Sequence, residues 1–210
     1  TVECDSVPAA DTLTANDNCD ASVTVIFNEV RTDSACDSEY SLARTWTVTD
    51  CAGNETSHTQ TITVEDTTAP TFVEALPADA TVECDSVPAA DTLTANDNCD
   101  ASVTVIFNEV RTDSDSACDS EYSLARTWTV TDCAGNETSH TQTITVEDNT
   151  APTFVEALPA DTTVECDSVP AADTLTATDN CDASVTVSFT QTTDGDADVC
   201  PSEYTITRVW

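Results

Sequence analysis

"YSLARTWTVTDCAGNETSHTQTITVED" (residues 40–66) reads as two β-strands and the turn between them. On either side of "DCAGNE" (50–55), Thr, Val, Ile and aromatic residues recur with a period of two, the pattern of strands that lay one face on a core. Gly53 supplies the position in this tight turn that takes a positive φ at no steric cost. Working outward, "SVTVIF" (22–27) reads as a further strand, and "DTLTA" (11–15) as a shorter one. "APTF" (69–72) and "ATVEC" (80–84) read as the edge strands that open a domain, with Pro70 and Pro152 marking where one starts. No segment carries a helical period. Several short strands in so few residues predict an all-β fold of immunoglobulin-like β-sandwich domains.

The hairpin is repeated. "TVECDSVPAADTLTANDNCDASVTV" begins at Thr1 and again at Thr81, and a close relative begins at Thr163. The first two copies differ by the inserted Asp115-Ser116, by Thr67 against Asn149, and by Ala80 against Thr162. This predicts three domains in a linear, filament-like array cut from a longer one. They are residues 1–68 without their N-terminal edge, 69–150 complete, and 151–210 truncated at the C-terminal side. The expected core of a copy is Val2, Val7, Leu13, Val23, Val25, Phe27, Tyr40, Leu42, Trp46, Val48, Ile62 and Val64, with Phe72 and Leu76 serving the next copy. Strand parity puts Arg44 on the face of Leu42 and Trp46. Either it pairs with a carboxylate or stacks on Trp46 at the margin, or a bulge resets the phase.

Forty acidic residues face five basic ones, all Arg, for a net charge of −35. That balance excludes nucleic-acid binding through phosphates, which needs clustered cations. It suits a hydrated, self-repelling surface or divalent cations. No run approaches the ~18 apolar residues of a membrane span, and no signal peptide is legible. The eleven cysteines fall four to a complete copy without a CxxC pair, and the only histidines are His58 and His140. Zinc is therefore disfavoured, and disulfides in a secreted or cell-surface protein are expected. Small domains of this kind lean on such staples, each worth roughly 2–4 kcal/mol.

"VECDSVPAADTLTANDNC" followed by "YSLARTWTVTDCAGNETSHTQTITVEDTTAP" resembles the HYR-like, immunoglobulin-like repeats of very large surface adhesins. These are common in Bacteroidota, including gliding-motility proteins and others exported by the type IX system. The most specific pieces are "DNC" (17–19), "TVTDCAGN" (47–54) and "VEDTTAP" (64–70), in that order. The resemblance implies an extracellular stalk or filament repeat with ligand-binding modules elsewhere, and no catalytic residues. Its partners would be neighbouring repeats in the chain or parallel chains, with a surface or glycan ligand elsewhere in the full protein. Two alternatives stay open: a glycan-binding module acting by avidity, with Trp46 and Tyr40 as contacts if exposed, and an acidic matrix protein that binds calcium.

Pairing of the cysteines is argued from intervals. Cys4 to Cys19 and Cys36 to Cys51 are both 15 positions apart, and the same holds in the second copy, whereas Cys19 to Cys36 varies with the insertion. The constant intervals, with a turn between them, point to Cys4–Cys19, Cys84–Cys99 and Cys166–Cys181, and the HYR resemblance points the same way. Cys36, Cys51, Cys118, Cys133 and Cys200 are open. A strand over residues 40–50 is about 35 Å long at ~3.3 Å per residue, whereas a disulfide needs Cα atoms within about 7 Å. Either a bulge or folded-back loop allows Cys36–Cys51 and Cys118–Cys133, or Cys36 bonds Cys133 across the junction between copies.

Ca²⁺ is the cofactor to which the carboxylates point. In an immunoglobulin-like sandwich Asp17, Asp20 and Asp50 share one end, where the preceding domain's last strand arrives. Asp66 of the first copy would thus meet Asp97, Asp100 and Asp132 of the second, and Asp148 would serve the next junction. Asp-Ser/Thr-apolar tripeptides mark Ser6, Thr12, Ser34, Thr67, Ser86, Thr92 and Ser116 as O-glycosylation candidates, and "NET" (54–56) is an N-glycosylation sequon.

Overall fold

The computed structural model describes residues 1–114, 120–195 and 203–210. Cys118, Cys200 and Ser116 lie outside the described residues. The chain is all-β, in tandem immunoglobulin-like β-sandwiches. The first sheet joins β1 (Val2–Glu3), β2 (Thr24–Asp33), β3 (Tyr40–Thr49) and β4 (Glu55–Glu65) in the order β1-β4-β3-β2. Then follow β5 (Thr71–Phe72), β6 (Ala80–Glu83), β7 (Ala95–Asn96), β8 (Val105–Asp113), β9 (Tyr122–Thr131) and β10 (Glu137–Glu147). Of these, β6-β10-β9-β8 repeat the order of the first sheet, and β5 pairs with β7. The last copy contributes β11 (Thr153–Phe154) paired with β12 (Ala177–Thr178), and β13 (Thr190–Asp194) paired with β14 (Thr205–Val209).

The chain divides into two compact units. One is Thr1–Ala78 with Ala90–Glu109 and Arg126–Gln142; the other is Asp79–Ala89 with Val110–Ala125 and Thr143–Trp210. In the first, β3 and β4 form the antiparallel hairpin expected from residues 40–66, with Trp46 opposite His58 and Phe27. Gly53 holds φ at 87° in the turn. The Asp50 carboxylate accepts the backbone N–H groups of Ala52 and Asn54 at 2.9 and 2.7 Å, which closes the turn from inside. A short strand then adds in parallel, Val2 beside Val64. Leu42, Ile62 and Val64 are buried, with Val2, Cys4, Val7 and Tyr40 packed against them. In the second unit Leu124, Ile144 and Val146 do the same with Val82, Cys84, Val87 and Tyr122.

The parity question has a direct answer. The pairing of β3 with both neighbours is unbroken, so no bulge intervenes. Arg44 does face inward with Leu42 and Trp46, and its Nε donates to Glu29 at 2.6 Å from the opposite strand. The cation–π stacking falls elsewhere, with Arg31 over the Tyr40 ring at 3.5 Å. Trp46 packs on Phe27 with ring centroids 5.3 Å apart, and its indole N–H donates to the Asp11 carbonyl at 3.0 Å. That bond is repeated by Trp128 to Asp91 and Trp210 to Asp173.

Three expectations need correction. No strand forms over residues 11–15; its counterpart in later copies is two residues, Ala95–Asn96 or Ala177–Thr178, placed further along. Leu13, expected in the core, is 43% exposed, whereas the same leucine in the next copies, Leu93 and Leu175, is buried. Phe27 and Leu76, also expected in the core, are exposed. For the leucines the reason lies in the segment that precedes a copy. Val73 donates to the Thr94 carbonyl at 2.9 Å, and the Glu74 carboxylate holds both the backbone N–H and hydroxyl of Thr94. This clamp closes over Leu93, and Val155, Glu156 and Thr176 repeat it. Among the described residues nothing equivalent covers Leu13. Leu93→Ala should therefore cost about 2–5 kcal/mol of stability, as read by urea unfolding.

Candidate functional site at the repeat junction

A strand delivers its two ends to opposite sides of a domain, and that decides what the cysteines can reach. Cys4 stands in the 3-10 turn Cys4–Ser6, directly after the residues that pair with Val64 and Glu65 at the far end of β4. Cys19 stands at the other end, in a loop tied to the hairpin turn: the Asp20 carboxylate accepts the Cys51 N–H at 2.8 Å. β4 has 11 residues, so the two sites are separated by about 35 Å. The expected Cys4–Cys19 and Cys84–Cys99 pairs are incompatible with this geometry. Cys4 is bonded to Cys99 and Cys84 to Cys181, with Cα atoms 5.8 and 5.7 Å apart. Cys166 is therefore not bonded to Cys181, and it is free and exposed, as are Cys19 and Cys51. The constant interval of 15 residues measures the path across a domain rather than a closed loop.

The same reasoning applies to the other pair. Cys36 precedes Tyr40 at the start of β3, and Cys51 follows its end. Cys36 is bonded to Cys133, at a Cα separation of 5.6 Å, so of the two alternatives it is the one across the junction that is present. First and third cysteines of one copy thus meet second and fourth of the next. The bonded sulfurs are held beside carboxylates, Asp100 next to Cys36 and Cys133, and Glu83 and Asp148 next to Cys181.

Between the two disulfides lies an acidic cluster. Asp66, at the end of β4, meets Asp97 of the loop before Cys99 and Asp132 of the hairpin turn, with carboxylate oxygens all within 4.8 Å of one another. Asp66 is only 4% exposed. Asp132 is committed through one oxygen to the N–H groups of Gly135 and Asn136, and the Asp97 Oδ1 accepts those of Cys99 and Asp100. Asn136 Nδ2 ties the set together by donating to the Asp66 carbonyl and the Asp132 carboxylate. Two buried oxygens, Asp66 Oδ2 and Asp97 Oδ2, have no hydrogen-bond partner. The four ion pairs among the described residues all lie elsewhere. Burial pushes the Asp66 carboxyl above its usual range, with Asp97, Asp132 and Glu3 adding to the effect against the Thr68 N–H. An oxygen-only, uncompensated set of this kind fits a hard divalent cation such as Ca²⁺.

Of the expected ligands, Asp66, Asp97 and Asp132 are brought together. Asp100 is nearby but caps the Cys133 N–H. Asp17, Asp20 and Asp50 occupy the matching loops of the first copy, where they cap their own backbone. Asp148 stands with Glu83 beside Cys181. Two participants were missed, although the repeat itself points to them. Asp179, the counterpart of Asp97, also has a buried oxygen without a partner, and Glu3 faces Asp66 and accepts from the Thr67 hydroxyl. Of the glycosylation candidates among the described residues, Ser6, Thr12, Ser34, Thr67, Ser86 and Thr92 are all exposed. Trp46 and Trp128 are buried, so they offer no face to a glycan.

Two outcomes follow from this geometry. If a protease site is placed at residues 67–69 and cut, the fragments should stay together on a denaturing gel and separate only after reduction; pairing within copies would release them without reductant. The second concerns Asp66. Its raised folded-state value means that its favourable contribution is fully present below the unfolded value of ~3.9 and is lost as pH rises through the folded value. In metal-free buffer at neutral pH, Asp66→Asn should raise the melting temperature by a few degrees, and this advantage should vanish in acid.

The description "HYR-like domain with 4 cysteines" matches residues 1–64 and 72–146 of this chain. No curated protein matches it. Among solved structures it is similar to the EC3–6 cis-dimer of protocadherin gammaB7, at 15% identity and a TM-score of 0.29, covering 85% of this chain and 52% of that one. It is also similar to EC1–4 of Drosophila N-cadherin, at 15% identity and a TM-score of 0.29, covering 77% of this chain and 46% of that one. The chain thus spans about half the length of the cadherin chains it matches. With the four-cysteine pattern matched across two successive copies, the chain belongs to the HYR-like domains with four cysteines.

Proposed function

We propose that this chain is a load-bearing spacer of an extracellular adhesion-type protein, of the kind found in the large surface adhesins of Bacteroidota. It acts as a stalk of HYR-like domains delimited near residues 68 and 150, without enzymatic activity. The carrying observation is that disulfides link one copy to the next. Tension entering at the N-terminus reaches Cys4, crosses to Cys99, runs back to Cys84 and crosses again to Cys181. Only the 15 residues from Cys84 to Cys99 can then be drawn out between those crossings, at most about 50 Å of chain. An unlinked repeat of 80 residues would release roughly five times as much. A spacer must hold its length under pull, and this covalent route provides that without a large core.

The acidic cluster supports a junctional role for Ca²⁺ in the same reading. Asp66, Asp97 and Asp132 would hold the ion, whose two positive charges would offset most of the repulsion among three carboxylates at the junction. Trp46 and Trp128 support the spacer reading over a glycan-binding one, because both are spent on the core.

Single-molecule extension tests the mechanical claim. The oxidised chain should release little contour length, and the reduced chain several times more; equal release would refute it. Thermal unfolding tests the ion. Calcium at about 100 times its Kd should add roughly 2.7 kcal/mol, EDTA should remove it, and Asp66→Asn should abolish the response. An unchanged transition on calcium addition would end that part of the reading and leave the spacer role standing.

A further inference from the structure

The Cys4–Cys99 disulfide and the Asp66 cluster fasten the same two pieces of chain. On one side Cys4 follows Glu3, whose carboxylate accepts the Thr67 N–H at 3.2 and 3.3 Å. It also accepts the hydroxyls of Thr67 and Thr68. Thr67 follows Asp66, so these bonds tie Asp66 to Cys4. On the other side the Asp97 Oδ1 accepts the N–H groups of Cys99 and Asp100, both at 2.8 Å, which ties Asp97 to Cys99. A circuit therefore runs from Asp66 through Glu3, Cys4 and Cys99 to Asp97. The space between the Asp66 and Asp97 carboxylates is its one step without a bond.

The two clasps are close. Carboxylate oxygens of Glu3 and Asp66 lie within 4.8 Å of the Cys99 Sγ, and those of Asp66, Asp97 and Asp132 within 4.8 Å of one another. Burial keeps water from screening them: Asp66 is 4% exposed, and its Oδ2 and that of Asp97 have no hydrogen-bond partner. With the disulfide closed and no ion, the bond holds these carboxylates together against their repulsion, and the repulsion weakens the bond. An ion across the gap offsets the repulsion and adds a second tie between the same loops. A closed disulfide in turn keeps Asp66 and Asp97 at ligand spacing, so that binding an ion does not have to bring them together.

We infer that calcium and the Cys4–Cys99 disulfide are coupled: an ion at Asp66, Asp97 and Asp132 protects the bond from reduction, and the bond raises the affinity for the ion. This rests on the calcium reading of the cluster given above. When a dithiol reduces the bond, one S–S bond breaks and two electrons and two protons pass to Cys4 and Cys99. The dithiol closes to its own cyclic disulfide. Calcium shifts that equilibrium toward the closed bond by the factor by which it binds the oxidised chain more tightly than the reduced one. Linkage makes the two factors equal.

The test uses the full chain with Cys19→Ser, Cys51→Ser, Cys118→Ser, Cys166→Ser and Cys200→Ser, which leaves the three disulfides. It is equilibrated at one ionic strength with graded ratios of reduced to oxidised dithiothreitol, in excess calcium or in EDTA. Acid quenching, alkylation and cleavage after Arg31 then report on Cys4, the one cysteine left in residues 1–31. Calcium should raise the ratio that half-reduces Cys4 by at least about fivefold, the low end of the roughly 5- to 150-fold range of such couplings. Asp66→Asn should still form the disulfide and should show no shift. Titration calorimetry with calcium on the oxidised chain separates this inference from the reading beneath it. Calcium that binds without moving the ratio, or a shift that survives Asp66→Asn, would overturn the coupling alone. An oxidised chain that binds no calcium would overturn the site and the coupling together.

Discussion

The length of one hairpin governs the covalent plan of this molecule. β3 and β4 run for 10 and 11 residues without interruption, which separates turn from strand entry by about 35 Å. Cysteines lie just beyond both ends, and a disulfide spans only about 7 Å between Cα atoms. Cys4, Cys36 and Cys84 therefore find no partner within their own copy, and a neighbouring copy supplies Cys99, Cys133 and Cys181. The donor positions, Cys4 and Cys36, and the receiving ones, Cys99 and Cys133, are matched in number and position. A stiff local element thus turns the disulfides among the described residues into links between copies.

The acidic cluster follows from the same placement. Bringing the end of β4 against a neighbour's hairpin turn buries Asp66 beside Asp97 and Asp132. In a chain with forty acids and no Lys, carboxylates meet wherever surfaces meet. Covalent linkage holds them together against their repulsion, and the two buried oxygens without partners mark where that repulsion is left uncompensated. Arg44 shows the contrasting solution within a sheet, where a buried charge is matched by Glu29 directly across from it.

Much of this was legible in the letters, and the exceptions share one cause. The alternation over residues 40–66 predicts the hairpin within a residue at each boundary, because period and turn chemistry are local. Asp66, Asp97 and Asp132 were legible as a set once the sandwich was assumed, since its ends are known from strand direction. Leu13 differs from Leu93 because the described residues hold no counterpart, for residues 1–68, of the Val73–Glu74 segment that is tied to Thr94. Cys4–Cys19 was misread because a constant interval in sequence says nothing about the direction in which the chain travels. Asp179 was overlooked although the repeat places it as the counterpart of Asp97.

By itself, then, the sequence determined the strand pattern, the repeat, the acidic balance and the presence of disulfides, all of which depend on residues near one another in the chain. It also limited Cys36 to two partners by the length of one strand. Which cysteine meets which, which acids converge and which leucine is covered were decided only by the tertiary structure. Those contacts join residues from 20 to 97 positions apart, well beyond the reach of a local sequence pattern.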